Sequence, residues 1–422
     1  MTMGAVISLA WASLNNRRGS ALLTILAVAV SVTLFLGVDK LRTSARESFQ
    51  NTISGTDLIV GARTSPVSLV LFSVFHIGDP SANVTYKSYE WLESRPDIDW
   101  VVPISLGDSH EGYRVVGTTE DFFQYYQYRG RTPLQFADGA AFADLFDVVI
   151  GASVADALGY SIGDEITLHH GGGHDFSGGH DNLPFTISGI LEKTGTPVDK
   201  SVLVTLPAIE AIHIGWQSGA KTHLADMITP ERVRSLDLTP DAVSAVLVGL
   251  KGRNPFLTKR AIDTYRGEAL AAAIPGLAIQ EVWQLVGVAE RALLVVSGFV
   301  VLVGLVSILT SIMTSLRERR REMAVLRATG AGPAHIMGLL ISEAALLAGL
   351  GAVAGIALTY IALQFVAPLA EARFGLMLTT SLPGMTDAYV LLFVTGFAAI
   401  LGIIPALQAL KHSLADGLSI KL

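Results

Sequence analysis

Residues His169 to Asp181 read HHGGGHDFSGGHD, packing four of the chain's ten histidines among glycines and two aspartates. Imidazole nitrogen and carboxylate oxygen are donors that zinc takes, three or four at a time, at about 2.0–2.2 Å. The intervening glycines place few limits on the backbone, so His169, His170, His174 and His180, with Asp175 or Asp181, have the means to converge on one ion. Their spacing is irregular and matches no fixed zinc motif. On composition alone the segment is either a metal site or a solvated polar insertion. The chain has no cysteine, which excludes thiolate metal sites and cysteine nucleophiles.

Other chemistry is sparse. KTGTPVDKS, residues 193–201, is no phosphate-binding loop, because Asp199 stands before Lys200 where that motif needs glycine. HEGYR at 110–114 lacks the second histidine of a zinc-protease helix. With no G-x-S-x-G elbow either, catalysis by this chain is not expected.

The elements that position these residues follow from composition. Of 422 residues 50% are hydrophobic and 16% charged, and the mean hydropathy of +0.49 exceeds that of an ordinary soluble chain. Four uncharged stretches, 19–38, 292–316, 344–370 and 388–410, approach or exceed the roughly 20 residues needed to span a bilayer. The first is too long for a signal-peptide core, and no small-residue cleavage site follows Leu36 to Asp39, so it reads as a retained anchor. Before it, Ile7, Trp11 and Leu14 share a helical face suited to the membrane surface.

Charge sets the expected orientation. Residues 39–291 carry 20 Lys+Arg against 31 Asp+Glu, whereas residues 1–18, 317–335 and 411–422 together carry 9 against 3. The positive-inside rule puts the basic pieces, and both termini, in the cytoplasm. The expected layout is a cytoplasmic interfacial helix (1–18), first span (19–38), stalk helix (39–56), extracytoplasmic α+β domain of two subdomains (57–278), second stalk (279–291) and second span (292–316). A cytoplasmic loop (317–335), third span (336–370), external loop (371–387), fourth span (388–410) and cytoplasmic tail (411–422) complete it.

The stalks rest on helical spacing at Leu41, Ala45, Phe49 and Ile53, and at Ile279, Val282, Trp283 and Val286. Between them, short apolar runs such as DLIVGA, YRVVGT, DVVIGA and SVLVTL predict strands. Helices are expected at 88–94, 153–158, 207–212 and 254–273. The His-rich segment then joins a strand at 165–168 to one at 185–190, over a loop too long for a minimal hairpin.

Within the third span, Glu343 carries a carboxylate whose insertion costs about 2.5–3.5 kcal/mol at mid-membrane, so pairing with a neighbouring helix is expected. Gly351 and Gly355, four apart, suit close helix approach. The cytoplasmic loop is a basic helix, Arg317 to Ala328, followed by a glycine turn at Gly330 to Gly332.

Its residues 321–331, REMAVLRATGA, resemble the R-E-I-G-x-x-R-A-x-G-A signature of FtsX-like, MacB-type ABC transporter permeases, with Glu343 matching the acidic residue that follows. VVIGASVADALGYSIGDEITL (148–168) and PFTISGI (184–190) also resemble external-domain motifs of that family. Ala324 departs from the usual glycine.

The resemblance implies that Arg317, Arg319, Arg320, Arg321, Glu322 and Arg327 face a separate cytoplasmic ABC ATPase, present in two copies. It further implies a permease homodimer in a bacterial inner membrane, with ATP bound by the partner and none by this chain. The chain is also similar to permeases grouped with His-rich zinc-binding proteins in zinc-uptake systems, which makes Zn2+ the expected ion and a periplasmic substrate-binding or His-rich protein a candidate partner. No nucleic-acid partner is expected.

Three functions remain open at this point: a metal-handling permease, a MacB- or Lol-like machine moving a lipoprotein, lipid or peptide, and an FtsX-like scaffold that activates a periplasmic hydrolase.

Overall fold

The structure, a computed structural model, describes residues 3–170, 182–215, 228–252, 254–318, 330–374 and 383–415. The chain divides into two compact units. One comprises Met1–Ser44, Gly287–Ala370 and Leu378–Leu422; the other comprises Ala45–Val286 and Glu371–Met377.

The first unit is a helical bundle. Among the described residues, four helical stretches are long and apolar enough to cross a membrane: Arg18–Asn51, Val286–Leu316, Pro333–Ala370 and Met385–Ala409. In lipid every backbone N–H and C=O must be satisfied within the segment, which leaves the helix as the only form for such runs in a single-chain bundle. Leu22, Leu26, Phe299, Val303, Phe365 and Leu392 point outward and are exposed, as lipid-facing side chains are. Val28, Val32, Leu36, Leu305, Ile308, Leu340, Leu347 and Val394 form the buried seam, with Ala344, Ala348 and Ala398 allowing close approach.

Three details refine the expected boundaries. The helix Met3–Asn16 precedes the first span as expected, but Leu14 packs into the bundle while Trp11 stays exposed. The first long helix stops at Asn51, short of the expected 56. The fourth span is two helices, Met385–Leu401 and Ile403–Ala415, parted at Gly402. Pro405 explains the break: it has no N–H to donate, and its ring would clash with the carbonyl of Leu401.

The second unit is built on one mixed sheet. Eleven strands among the described residues belong to it. Its main path runs Leu270–Ala273, Leu58–Ala62, Ala245–Leu250, Ile98–His110, Tyr113–Thr118, Ser201–Thr205, Asp147–Ile150, Phe185–Leu191 and Phe136–Gly139. Neighbours are antiparallel except Ser201–Thr205 with Tyr113–Thr118, and Phe185–Leu191 with Asp147–Ile150. Val, Ile and Leu alternate or run continuously on these strands because the sheet is covered: Leu58, Val60, Val101 and Val246 pack in one cluster, Ile59, Val102 and Leu247 in another.

The stretch 254–273, expected as one helix, is a helix only over Pro255–Asp263. Leu270–Ala273 is instead a strand at the sheet edge, paired with Leu58–Ala62. Alanine favours helix intrinsically, but an open sheet edge supplies the backbone partners that decide a four-residue run. A helix at Pro66–Phe75 was not expected. Ser65 caps it by accepting from the Ser68 amide at 3.0 Å, Pro66 opens it, and His76 closes it in the left-handed region at φ 55°.

Candidate functional site

In the bundle, Gly351 and Gly355 meet the first span. A Cβ added to Gly351 would lie 2.6 Å from Val28 Cβ, and one added to Gly355 would lie 2.7 Å from the Ala29 carbonyl and 2.7 Å from Val32 Cβ. The bare backbone at Gly355 also accepts a hydrogen bond from Thr33 Oγ1 at 3.0 Å. Glu343 is 4% exposed, and its Oε1 accepts from Ser13 Oγ at 3.3 Å, so its partner lies on the preceding helix Met3–Asn16.

A second buried acid escaped the sequence reasoning. Asp387, assigned there to an external loop, is the third residue of the helix Met385–Leu401 and only 2% exposed. Its Oδ2 accepts from the Gly384 amide at 2.8 Å and from the Tyr360 hydroxyl at 2.9 Å, and Lys40 Nζ sits 3.4 Å away. Lys40 also lies over the Tyr360 ring, 4.8 Å from its centroid. This cluster ties the first, third and fourth spans together. The available signal was an acid within one turn of an apolar run, the usual place for a helix cap.

In the other unit, His174, Asp175, His180 and Asp181 lie outside the described residues. The segment leading to them is described. Of the expected strand 165–168 only Glu165–Ile166 is a strand, paired with Phe185–Thr186, and a separate strand, His169–His170, pairs with Ser109 and Asp108. Among the described residues, no group of three His, Asp or Glu is gathered that would hold a metal.

His110 is buried, and both ring nitrogens are engaged. Nδ1 donates to the Thr167 carbonyl at 2.7 Å, and Nε2 accepts from the Tyr160 hydroxyl at 2.9 Å. Burial holds its pKa below the ordinary value, partly offset by the bond to Thr167. His213, which ends the helix Leu206–His213, places Nε2 3.7 Å from Oδ1 of the buried Asp108. Neither residue stood out in the sequence, because they are 105 positions apart and only the sheet and its covering helix bring them together.

The stretch 193–201 proves to be a tight turn. Asp199 accepts from the Thr194 amide and hydroxyl, both at 2.8 Å, and from the Gly195 amide at 2.7 Å. Burial pushes its carboxyl pKa up, against those hydrogen bonds. The turn passes so near Gly151 that a Cβ there would lie 2.2 Å from the Val198 carbonyl. Beside it opens a cleft of about 360 Å³, walled by Phe49, Phe75, His76, Tyr113, Arg114 and Lys200. His76 Nδ1 is 3.2 Å from Ser201 Oγ, and its pKa is lowered to about 4 by burial and then by the Arg114 charge.

For the coupling residues, Arg317 lies in the last turn of the helix Pro275–Glu318, and Arg319, Arg320, Arg321, Glu322 and Arg327 lie outside the described residues.

Four helices long and apolar enough to span a membrane, with a large α+β domain between the first and second, define the class of multi-pass membrane proteins with a large inserted domain. Residues 21–246 match the MacB-like periplasmic core domain, and residues 294–414 match the FtsX-like permease C-terminal domain. The chain belongs to the family of FtsX/MacB-type ABC transporter permeases, which are inner-membrane proteins.

Two relatives are the macrolide export ATP-binding/permease proteins MacB of Nitrobacter winogradskyi and Rhodospirillum rubrum. The first is 26% identical over 183 residues, 42% of this chain and 25% of that protein. The second is 25% identical over 237 residues, 54% of this chain and 32% of that protein. The chain thus spans a third or less of their length. Among solved structures, the periplasmic region of MacB from Actinobacillus actinomycetemcomitans aligns at 12% identity and TM-score 0.34, over 55% of this chain and 94% of that one. The extracellular domain of the ABC-type transporter YknZ from Gram-positive bacteria aligns at 12% identity and TM-score 0.29, over 51% of this chain and 98% of that one.

Proposed function

We propose that this chain is the permease subunit of an ABC machine in which a separate cytoplasmic ATPase, two copies on a permease homodimer, drives movement of the periplasmic domain. The observation that carries this reading is helix continuity. Arg18–Asn51 and Pro275–Glu318 each run unbroken, over 34 and 44 residues, between residues of the membrane unit and residues of the external unit. At 1.5 Å per residue these helices are about 50 and 65 Å long, well beyond the roughly 30 Å hydrocarbon core. A helix longer than the bilayer is thick is what such a relay requires.

Within this reading both termini are cytoplasmic. Arg317, Arg319, Arg320, Arg321, Glu322 and Arg327 receive the ATPase, and Glu343, Gly351 and Gly355 hold the third span against its neighbours. The segment 169–181 handles zinc through His169, His170, His174 and His180 with Asp175 and Asp181, supported by its donor chemistry.

The test is a Gly-Gly insertion after Val286, in nanodiscs, with spin labels on the periplasmic domains. ATP is expected to change the label distance in the native complex, whereas the insertion should abolish that change while the ATPase stays bound and active. Equal ATP-driven movement with and without the insertion would refute the relay, and failure of any ATPase to co-purify would refute the subunit assignment.

A further inference from the structure

The relay makes no use of the cleft beside the turn 193–201, whose walls combine apolar, cationic and hydrogen-bond-accepting chemistry. Its volume of about 360 Å³ falls in the range of small-molecule sites.

The apolar wall is aromatic. Phe49 stacks on Phe75 with ring centroids 4.5 Å apart and an interplanar angle of 27°, and Tyr113 lines the same cleft. All three side chains are only half-buried, so hydrocarbon laid against them leaves water together with the rings.

Arg114 supplies positive charge. The two-residue turn Glu111–Gly112, with φ of 47° and 82°, presents it at the start of the strand Tyr113–Thr118. Its Nη2 donates to the Gly78 carbonyl at 3.0 Å and to Asp79 Oδ1 at 2.6 Å. Those two bonds leave the hydrogens on Nε and Nη1 for a ligand. Asp79 already shows that a carboxylate suits this guanidinium, and its side chain is 73% exposed, so a second carboxylate can share the cation or take its place. Lys200 lines the same cleft and carries the same sign.

His76 supplies an acceptor. Ser201 Oγ lies 3.0 Å from the Pro197 carbonyl, which takes its only hydrogen, so in the 3.2 Å contact with His76 Nδ1 the imidazole must donate. In the neutral ring Nε2, on the side away from Ser201, is then a lone pair. Burial, and then the charge of the neighbouring Arg114, lowers the His76 pKa to about 4, so at neutral pH the ring stays an acceptor.

We propose that this cleft binds a small apolar carboxylic acid with a hydroxyl or amino group next to its carboxylate. The hydrocarbon lies against Phe49, Phe75 and Tyr113, the carboxylate meets Arg114, and the neighbouring O–H or N–H donates to His76 Nε2. The site is independent of the segment 169–181 and of the relay. It has a reporter of its own, because the Trp283 indole stands edge-on to Phe49 with centroids 5.7 Å apart.

The test uses the full chain in nanodiscs, titrated by calorimetry and by tryptophan fluorescence with three probes. Phenyllactate carries ring, carboxylate and hydroxyl; hydrocinnamate lacks the hydroxyl, and phenethyl alcohol lacks the carboxylate. One saturable site for phenyllactate is expected, with phenethyl alcohol weaker by about 10-fold or more and hydrocinnamate weaker by a few-fold. R114Q should erase the preference for acid over alcohol. H76N, whose asparagine tolerates the left-handed backbone and keeps a donor for Ser201, should erase the preference for phenyllactate over hydrocinnamate. W283F should remove the fluorescence change and keep the calorimetric one. Thermal midpoints check that the variants fold, and the probe series on the native chain decides the matter without them. Equal binding of the three probes, or no saturable binding of any, would overturn the proposal, as would native preferences persisting in folded R114Q and H76N.

Discussion

Gly355→Ala probes how the spans are held together. The new Cβ would lie 2.7 Å from the Ala29 carbonyl, 2.7 Å from Val32 Cβ and 3.0 Å from Val32 Cγ1. Comfortable contacts lie at about 3.5–4.0 Å, so the third span must retreat from the first by roughly 0.5–1 Å. Overpacking of this kind costs about 1–3 kcal/mol. The retreat also stretches the bond from Thr33 Oγ1 to the Gly355 carbonyl, now 3.0 Å, and interhelical bonds in membranes average about 0.6 kcal/mol. Alanine returns up to about 1 kcal/mol of helix propensity. The net expectation is a loss of about 1–2 kcal/mol. Gly298 and Gly396 are internal controls, since an added Cβ there meets no atom within 4 Å; G298A and G396A should leave stability unchanged or raised. The assay is the denaturation midpoint of the purified chain in detergent. If G355A melts with G396A, the first and third spans do not meet at this seam and the reasoning fails.

Three further outcomes follow from the geometry. At the Asp387 cluster, K40M leaves a buried carboxylate without its cation, whereas D387N leaves a lysine whose side chain is 21% exposed and can turn to water; K40M should therefore lower the thermal midpoint more, with a loss of about 2–3 kcal/mol, and equal losses would count against the pairing. For His76, the folded pKa of about 4 lies below the ordinary 6.5, so the unfolded chain binds the proton first as pH falls. Stability contributed by the neutral ring is full above about pH 6.5 and fades toward pH 4, by roughly 2 kcal/mol once its partial exposure is allowed for; H76Q should flatten this part of the stability–pH curve, and an unchanged slope would show the ring to be irrelevant. Gly249→Ala would set a Cβ 2.1 Å from Trp100 Nε1 and unseat the stack of Trp100 on Tyr125, whose centroids are 4.9 Å apart; a near-ultraviolet dichroism change and a loss of about 1–3 kcal/mol are expected, and a native spectrum would refute the packing.

The places where the sequence misled share a cause. LAAA at 270–273 has the local preferences of a helix, but the edge of Leu58–Ala62 was open to it. Asp387 lay at the margin of an apolar run, where a loop carboxylate and a helix-capping one look alike until the backbone is placed. Nor could any local rule show that the backbones of His169 and His170 pair with Ser109 and Asp108.

Sequence by itself determined the four spans, the helical extensions and the strand-rich insert, because hydropathy and side-chain periodicity are local properties that water and lipid impose on each segment separately. It also marked Gly351 and Gly355, since four-residue spacing puts both on one helix face. Which helix they face, that Glu343 meets Ser13, that Lys40, Tyr360 and Asp387 converge, and that His213 comes to Asp108 were decided only by the tertiary structure. Those pairs are separated by 27 to 347 positions. No local rule carries such contacts; they exist because burying a polar group requires a partner, and the fold alone determines which one is within reach.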